Sequence, residues 1–468
     1  MIRLDKIFFW GTSLVFLYVL MEAAFQQETV YLFYPLVLVA ALLLLQFPEF
    51  LLYTLLVSIP WSIAFNFNEH LSTDLPDEPL MLLSSLAFFI LFIHQKKKER
   101  GSFHPIISII LLQLLWTFFT VLTSTDFLVS LKYFLAKCWY LLAFLGLPLY
   151  LFRDKKIMAR SGVLLLLSMM ICMMVVLVRQ TGNNWSFEKI NDALRPFYPN
   201  HVDYAALLVF MVPLLLACRK LSASKAIKNL CLIFLFITVV ALYFSYSRGA
   251  WMALLTGSLS YWFIRKRILF AAYILLVALC LAAVFWLGSN DRYLRFHNEY
   301  KSTIFHNNFE EHLVATYKMK DVSTAERFYR WVAGVRMVKD SWKMGFGPTS
   351  FYEHYKSYAV PAFKTWVSGN KEHSTVHNYF LLLIIEQGVV GLLLFLILLG
   401  ALFWNIQLLY KKFNDPFYKT ILACVGSLLM MECTVNFLSD LIETDKVGSV
   451  FYLCVAVVVM VSGVVNSE

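Results

Sequence analysis

Apolar residues gather in fourteen stretches of close to twenty, at about 7 to 25, 29 to 47, 49 to 67, 79 to 94, 104 to 123, 127 to 152, 159 to 179, 201 to 218, 229 to 245, 249 to 264, 268 to 288, 378 to 404, 419 to 438 and 447 to 464. The one long polar interruption runs from Ser289 to Val376. A helix needs about twenty apolar residues to cross a bilayer core. The pattern therefore predicts an all-α polytopic membrane protein with about fourteen transmembrane helices and one large extramembrane loop. Three segments follow: helices 1 to 11 in residues 1–288, the loop in 289–376, and helices 12 to 14 in 377–468.

Inside the loop, TAERFYRWVAGVRMVKDSWKMGFGPTSFYEHY has the spacing of an amphipathic helix, with Arg327, Arg330, Trp331 and Arg336 recurring along it. Interleaved basic and aromatic residues suit a helix lying over lipid headgroups. Lys339 and Lys343 read as part of a solvated surface. Gly345, Gly347 and Pro348 then predict a turn.

Composition agrees with the pattern: 60% of the 468 residues are hydrophobic, 17% aromatic and 15% charged, more apolar surface than a soluble chain could bury. The net charge of +10 is informative through its placement. If the amino terminus is cytoplasmic, the inside loops hold Arg3, Lys6, Lys96, Lys97, Lys98, Arg100, Arg153, Lys155, Lys156, Arg160, Arg219, Lys220, Lys225, Lys228, Arg265, Lys266, Arg267, Lys411, Lys412 and Lys419. The short outside loops, such as Gln26 to Glu28, Asn68 to Pro79 and Ser124 to Asp126, carry almost no cations. The positive-inside rule then puts both termini in the cytoplasm and the long loop outside. Nucleic acid is not an expected partner. The first span has no clear small-residue cleavage site before Gln26 and reads as an anchor, not a cleaved signal. All eight cysteines fall in or at the ends of expected spans, which argues against a disulfide framework or a thiolate metal site.

Candidate chemistry lies at the outer face. Arg248, in FSYSRGAW, stands at an edge otherwise nearly free of cations. A boundary arginine either snorkels or binds an anion. Ser245, Ser247 and a turn-forming Gly249 around it favour a hairpin corner and a ligand role. His377 and Asn378 open the twelfth span, where the positive helix end discourages imidazole protonation and leaves a lone pair free for base chemistry. Two alternatives stand beside this: Asn378 as a simple helix cap, and His373 with His377 as a metal pair, although Ser374 occupies the place of a zinc peptidase's glutamate. Glu386 lies about 13 Å further along the same helix at 1.5 Å per residue and needs a partner, with Lys132 or Lys137 as candidates. Gly388 and Gly391 give that helix a smooth packing face. Arg195 precedes PFYPNHVDYAALL at the mouth of the eighth span, so that three arginines from separate segments can meet one anion.

The ordered set NHVDYAALLVFMVPL, YSRGAW, Arg327-x-x-x-Trp331, GFGPTSF and HNYFLLLIIEQGVVGLLLF, spanning about 195 to 400, resembles the O-antigen ligase and O-antigen polymerase superfamily of bacterial envelope glycosyltransferases. The resemblance implies an inner-membrane enzyme whose site faces the periplasm. Its expected donor is a glycan on undecaprenyl diphosphate, which it moves to a hydroxyl of lipid A core or of a growing polysaccharide. It implies that Arg248 and Arg327 contact the diphosphate, that His377 lies beside the attacking hydroxyl, and that Arg195, Arg330 and Asn378 help bind substrate. It further implies an inverting transfer that uses no metal and no other cofactor. Ligase and polymerase differ only in acceptor. A transporter of lipid-linked glycan is the rival from another class, since Glu22, Lys132, Lys137, Glu386 and Glu432 are buried ionisable residues of the kind transporters show.

Overall fold

A computed structural model describes residues 41–68, 71–94, 104–296, 322–361, 363 and 375–465. The expected span at 7 to 25, most of that at 29 to 47, and Arg3, Lys6, Glu22, Lys96, Lys97, Lys98, Arg100, His373 and Ser374 lie outside these residues. The helices are α1 (Pro48–Ser58), α2 (Asp77–His94), α3 (Pro105–Leu122), α4 (Phe127–Leu151), α5 (Lys155–Gly182), α6 (Ile190–Leu194), α7 (His201–Leu221), α8 (Lys225–Tyr243), α9 (Arg248–Lys266), α10 (Leu269–Gly288), α11 (Val322–Ser341), α12 (Phe351–Tyr358), α13 (Tyr379–Lys412), α14 (Pro416–Leu438) and α15 (Asp445–Val465). Among the described residues, ten of these are long and apolar enough to cross a bilayer. The protein is an all-α polytopic membrane protein.

Local chemistry explains many of the boundaries. Asp126, Asp154, Asn200, Asn378 and Asp415 each accept a backbone N–H in the first turn of the helix they precede. These caps satisfy donors that a helix start leaves open. Proline at the first position of α1, α3 and α14 has no N–H to leave unpaired.

One expected span is corrected. The stretch 49 to 67 is not a single helix: α1 ends at Ser58, and β1 (Ile63–Asn68) pairs antiparallel with β2 (Leu71–Leu75), Ile63 opposite Leu75 and Phe65 opposite Thr73. The run IAFNFN alternates large apolar with small or polar residues, a period of two that suits a strand and not a helix.

The bundle is layered by burial. α14 and α15 bury most of their length inside the protein, while α8 and α10 bury little. The outer helices turn side chains such as Phe236, Leu281 and Phe285 outward, which is what lipid contact requires. α14 packs on α7, α9, α13 and α15, and α13 lies against α3, α10 and α11.

α13 is broken at Gly388, whose φ of 69° and ψ of −174° are not helical. A break at membrane depth exposes backbone groups that lipid cannot satisfy, so protein must do so. The turn after α11 supplies the partners. Phe346 and Gly347 donate their N–H groups to Ile385 O and Glu386 O at 2.9 Å, and Val389 N–H donates to Trp342 O at 2.8 Å. From α3, Trp116 Nε1–H donates to Gln387 O at 2.8 Å. Gly388 therefore serves a docking break and not the smooth face expected of it. A Cβ there would sit 2.2 Å from Lys343 O.

Candidate active site

The site forms where the amino end of α13 meets α11 and the carboxy end of α14. Arg327, Arg330 and Trp331 recur three and four residues apart, so they share one face of α11. α11 lies against α13, with Gly334 against Ile385 and Leu381, while Ala325, Tyr329 and Val332 are buried in a separate cluster with Phe363. This docking covers one face of α11 and leaves Val335, Arg336 and Lys339 exposed on the other. It turns Trp331 and Arg330 toward the segment before α13. Trp331 Nε1–H donates to Val376 O at 3.0 Å, and Arg330 Nη1–H to Thr375 O at 3.3 Å. Arg330 also pairs with Glu326 at 3.5 Å.

His377 follows directly, with a left-handed φ of 52°. Such a conformation costs about 1–3 kcal/mol and persists only when neighbours hold it. Here Trp331 and Arg330 hold the carbonyls before it. Behind it, Asn378 Oδ1 accepts Leu381 N–H at 3.0 Å and Tyr379 N–H donates to Ser439 O at 3.0 Å. Asn378, expected as cap or substrate ligand, acts in this structure as the cap. It is buried.

The bond from Tyr379 to Ser439 brings in a residue that sequence reasoning missed. Asp440 Oδ1 lies 3.9 Å from His377 Nδ1, and only 13% of the Asp440 side chain is exposed against 33% for His377. Burial pushes the Asp440 carboxyl above its usual range, while Thr375 and the nearby Arg327 pull it back. Burial, with the guanidinium groups of Arg327 and Arg330 beside it, pushes His377 down to about 3. Both effects favour the neutral imidazole, whose Nδ1 lies toward the Asp440 carboxyl. Asp440 carries no motif that marks it in sequence; its proximity arises from the turn at the end of α14.

Arg248 reaches this corner through its neighbour. Gly249 lies in the first turn of α9, and a Cβ there would be 3.3 Å from Leu438 Cδ1, two residues before Asp440. Its small size serves this contact. The chain reversal expected of Gly249 is made instead by Tyr246, at φ 55°. Ser245 is used in the same turn, donating to Leu242 O at 2.7 Å.

Arg195 is exposed at the end of α6, and its carbonyl accepts from Arg179 Nη1–H at 2.7 Å. Its segment packs on the turn before Arg248 through Trp185 with Phe244 and Phe187 with Tyr246. The structure thus gathers His377, Arg327, Arg330 and Asp440, and α9, which Arg248 opens, packs through Gly249 against Leu438, two residues before Asp440. Among the described residues, no hydrogen bond or ion pair joins the Arg195 side chain to this group.

The partner expected for Glu386 is also corrected. Lys137 pairs with Glu443 at 3.2 Å, and Lys132 is exposed. Glu386 accepts the N–H of Phe351, at the start of α12, at 3.4 Å.

Residues 233–396 match the model of the O-Antigen ligase family, about a third of the chain. Over 131 residues the chain is 28% identical to the exopolysaccharide production protein ExoQ of Rhizobium meliloti (strain 1021), covering 28% of this chain and 29% of that protein. The chain thus matches less than a third of the length of this curated relative. The family match contains Arg248, Arg327, Arg330 and His377 but neither Arg195 nor Asp440. From the middle of α8 to the middle of α13, the stretch that holds the imidazole and three of the arginines, this chain is similar to the O-Antigen ligase family.

Proposed function

We propose that the protein is a membrane glycosyltransferase that moves a glycan from undecaprenyl diphosphate to an acceptor hydroxyl at the periplasmic face of the bacterial inner membrane. The observation that carries this reading is the placing of His377 Nδ1 3.9 Å from Asp440 Oδ1, on a segment whose carbonyls accept from Arg330 and Trp331.

The acceptor oxygen attacks the anomeric carbon as the bond from that carbon to the phosphate oxygen breaks. The bonding pair leaves with undecaprenyl diphosphate, and the acceptor proton passes to His377 Nε2. A single displacement of this kind inverts the anomeric carbon. Negative charge grows on the departing diphosphate, and Arg327 and Arg248 stabilise it more in the transition state than before it. Guanidinium suits this because its planar fork grips phosphate oxygens in pairs and stays charged. Asp440 steadies the imidazolium that forms. Arg330 supports His377 through Thr375, and Arg195 helps bind the substrate. No metal is required in this scheme.

The acceptor distinguishes two forms of the reading. Lipid A core makes the enzyme a ligase, and a growing polysaccharide makes it a polymerase. The exopolysaccharide role in the name of the Rhizobium relative supports the second. Against a transporter stands the placement of the ionisable groups: Lys137, Glu386 and Glu432 each have a nearby protein partner, while the cations that can meet an anion cluster at one end.

The test is release of undecaprenyl diphosphate from lipid-linked glycan by the purified chain in vesicles with no ion gradient. His377→Ala and Arg248→Ala are each expected to reduce it at least 100-fold, in line with loss of a general base or an anion-stabilising group. Movement of intact donor lipid across the vesicle without bond cleavage would overturn the reading.

A further inference from the structure

We infer that Asn436 is a positioning residue that sets the placement of Asp440 against His377, an inference that rests on the transferase reading for its kinetic consequence. Asn436 lies in the last turn of α14 and is 2% exposed. Its Nδ2–H₂ donates to Glu432 O at 2.9 Å and to Glu432 Oε2 at 3.1 Å. Its Oδ1 accepts the N–H of Ile442 at 2.8 Å. Ile442 belongs to the short turn Leu441–Glu443, whose Glu443 N–H donates to Asp440 O at 3.2 Å. The amide thus joins the body of α14 to the turn that carries Asp440. The main-chain oxygen of Glu432 and the N–H of Ile442 fix which way round the amide sits, because only its nitrogen donates and only its oxygen accepts.

The surroundings make this bond hard to replace. A small cavity beside Glu432 and Asn436 is walled by Phe380, Phe395, Leu399 and Phe451. An amide hydrogen left without its acceptor among such groups finds little compensation, so the backbone of the turn must shift to regain one. The fold itself has other supports there. Tyr379 N–H holds Ser439 O, and Lys137 holds Glu443. Loss of Asn436 therefore moves the Asp440 carboxylate and leaves the helices in place.

The experiment is a double-mutant cycle between Asn436→Ala and Asp440→Asn in the full-length chain. The probe is undecaprenyl diphosphate-linked glycan extracted from the native host, presented with total envelope lipid of that host as acceptor source. Variants are compared after their thermal unfolding in detergent is shown to match the wild type. Asn436→Ala is expected to lower kcat about 100-fold with little change in KM, as sub-ångström to ångström misplacement of a reacting group does. On the Asp440→Asn background it is expected to add nothing, because coupled residues do not act additively. Where Asn436→Ala fails to fold, the exchange Glu432→Gln with Asn436→Asp carries the test. In it the new carboxylate at position 436 keeps an oxygen for Ile442 N–H and gains a donor from the new amide at position 432 but loses the donation to Glu432 O, so it is expected to recover part of the kcat that Asn436→Asp alone loses, and no recovery would overturn the inference.

A second measurement reads the geometry without turnover. Carbethoxylation of His377 by diethylpyrocarbonate, followed by mass spectrometry, is expected to change by the same factor in Asn436→Ala and Asp440→Asn, and no further in the double variant. Wild-type kcat in Asn436→Ala, a full additional loss on the Asp440→Asn background, or an unchanged His377 reaction rate in Asn436→Ala would each overturn the inference. If the wild-type chain cleaves no lipid-linked glycan, the transferase reading falls, and the carbethoxylation comparison still decides the role of Asn436.

Discussion

Replacing Gly388 by alanine tests whether the docked turn after α11 holds the site together. At φ 69° and ψ −174° the residue occupies a region open to glycine and strained for any side chain, a penalty of about 1–3 kcal/mol. The added methyl would also lie 2.2 Å from Lys343 O and 2.5 Å from Lys343 C, both rigid backbone atoms. Relief requires the turn to move, which breaks the bonds from Phe346, Gly347 and Val389, each worth about 1 kcal/mol net. Strain and lost bonds together come to about 4–6 kcal/mol, a large part of a typical folding free energy. The turn is continuous with α11, so its displacement also withdraws Arg327 and Arg330 from His377. Buried thiols such as Cys172, Cys231, Cys424 and Cys454 make a fluorogenic thiol reagent a direct reporter of unfolding on heating. Gly388→Ala is expected to unfold well below the wild type and to lose transfer. Gly162→Ala is the control, since a Cβ there meets nothing within 4 Å, and it is expected to be neutral or slightly stabilising. A Gly388→Ala protein with wild-type unfolding and wild-type transfer would refute the argument that the break is held by the turn.

Three further outcomes follow from the same geometry. Because burial and two arginines depress His377 below its usual 6.5 to about 3, the base form persists on acidification, so the acid limb of kcat/KM lies well below 6.5; a limb at 6.5 in the free enzyme would remove His377 as base. Lys137→Ala leaves Glu443 largely buried without its cation and is expected to destabilise by about 3 kcal/mol, while Lys137→Met with Glu443→Gln costs less, as equilibrium unfolding of the three proteins would measure. Transfer is expected to survive exhaustive chelation with EDTA, and activity lost to EDTA and restored by a divalent ion would refute the metal-free scheme.

Most of the membrane-spanning helices were legible, ten of them among the described residues, because partition between lipid and water is decided locally, by some twenty consecutive residues. Caps were equally local: Asn378 precedes an apolar run and caps it, as its side chain and position require. Arg248, Arg327 and His377 could be singled out because polar groups at a membrane edge are few, and each one needs a reason.

What the linear pattern left open is which of these groups meet. Asp440 faces His377 only because the end of α14 and the start of α13 share the bond between Ser439 and Tyr379. Lys137 finds Glu443 and not Glu386, because the turn after α11 has already filled the break at Gly388 and supplies Glu386 with a backbone donor. Hydropathy measures how each residue is solvated, and it carries no term for partners hundreds of positions apart. Sequence alone therefore determined that this chain is a helical membrane protein with basic and imidazole groups at one edge. Their convergence around a carboxylate was decided by helix packing, because ion pairs and hydrogen bonds act over a few ångströms that only the folded bundle brings about.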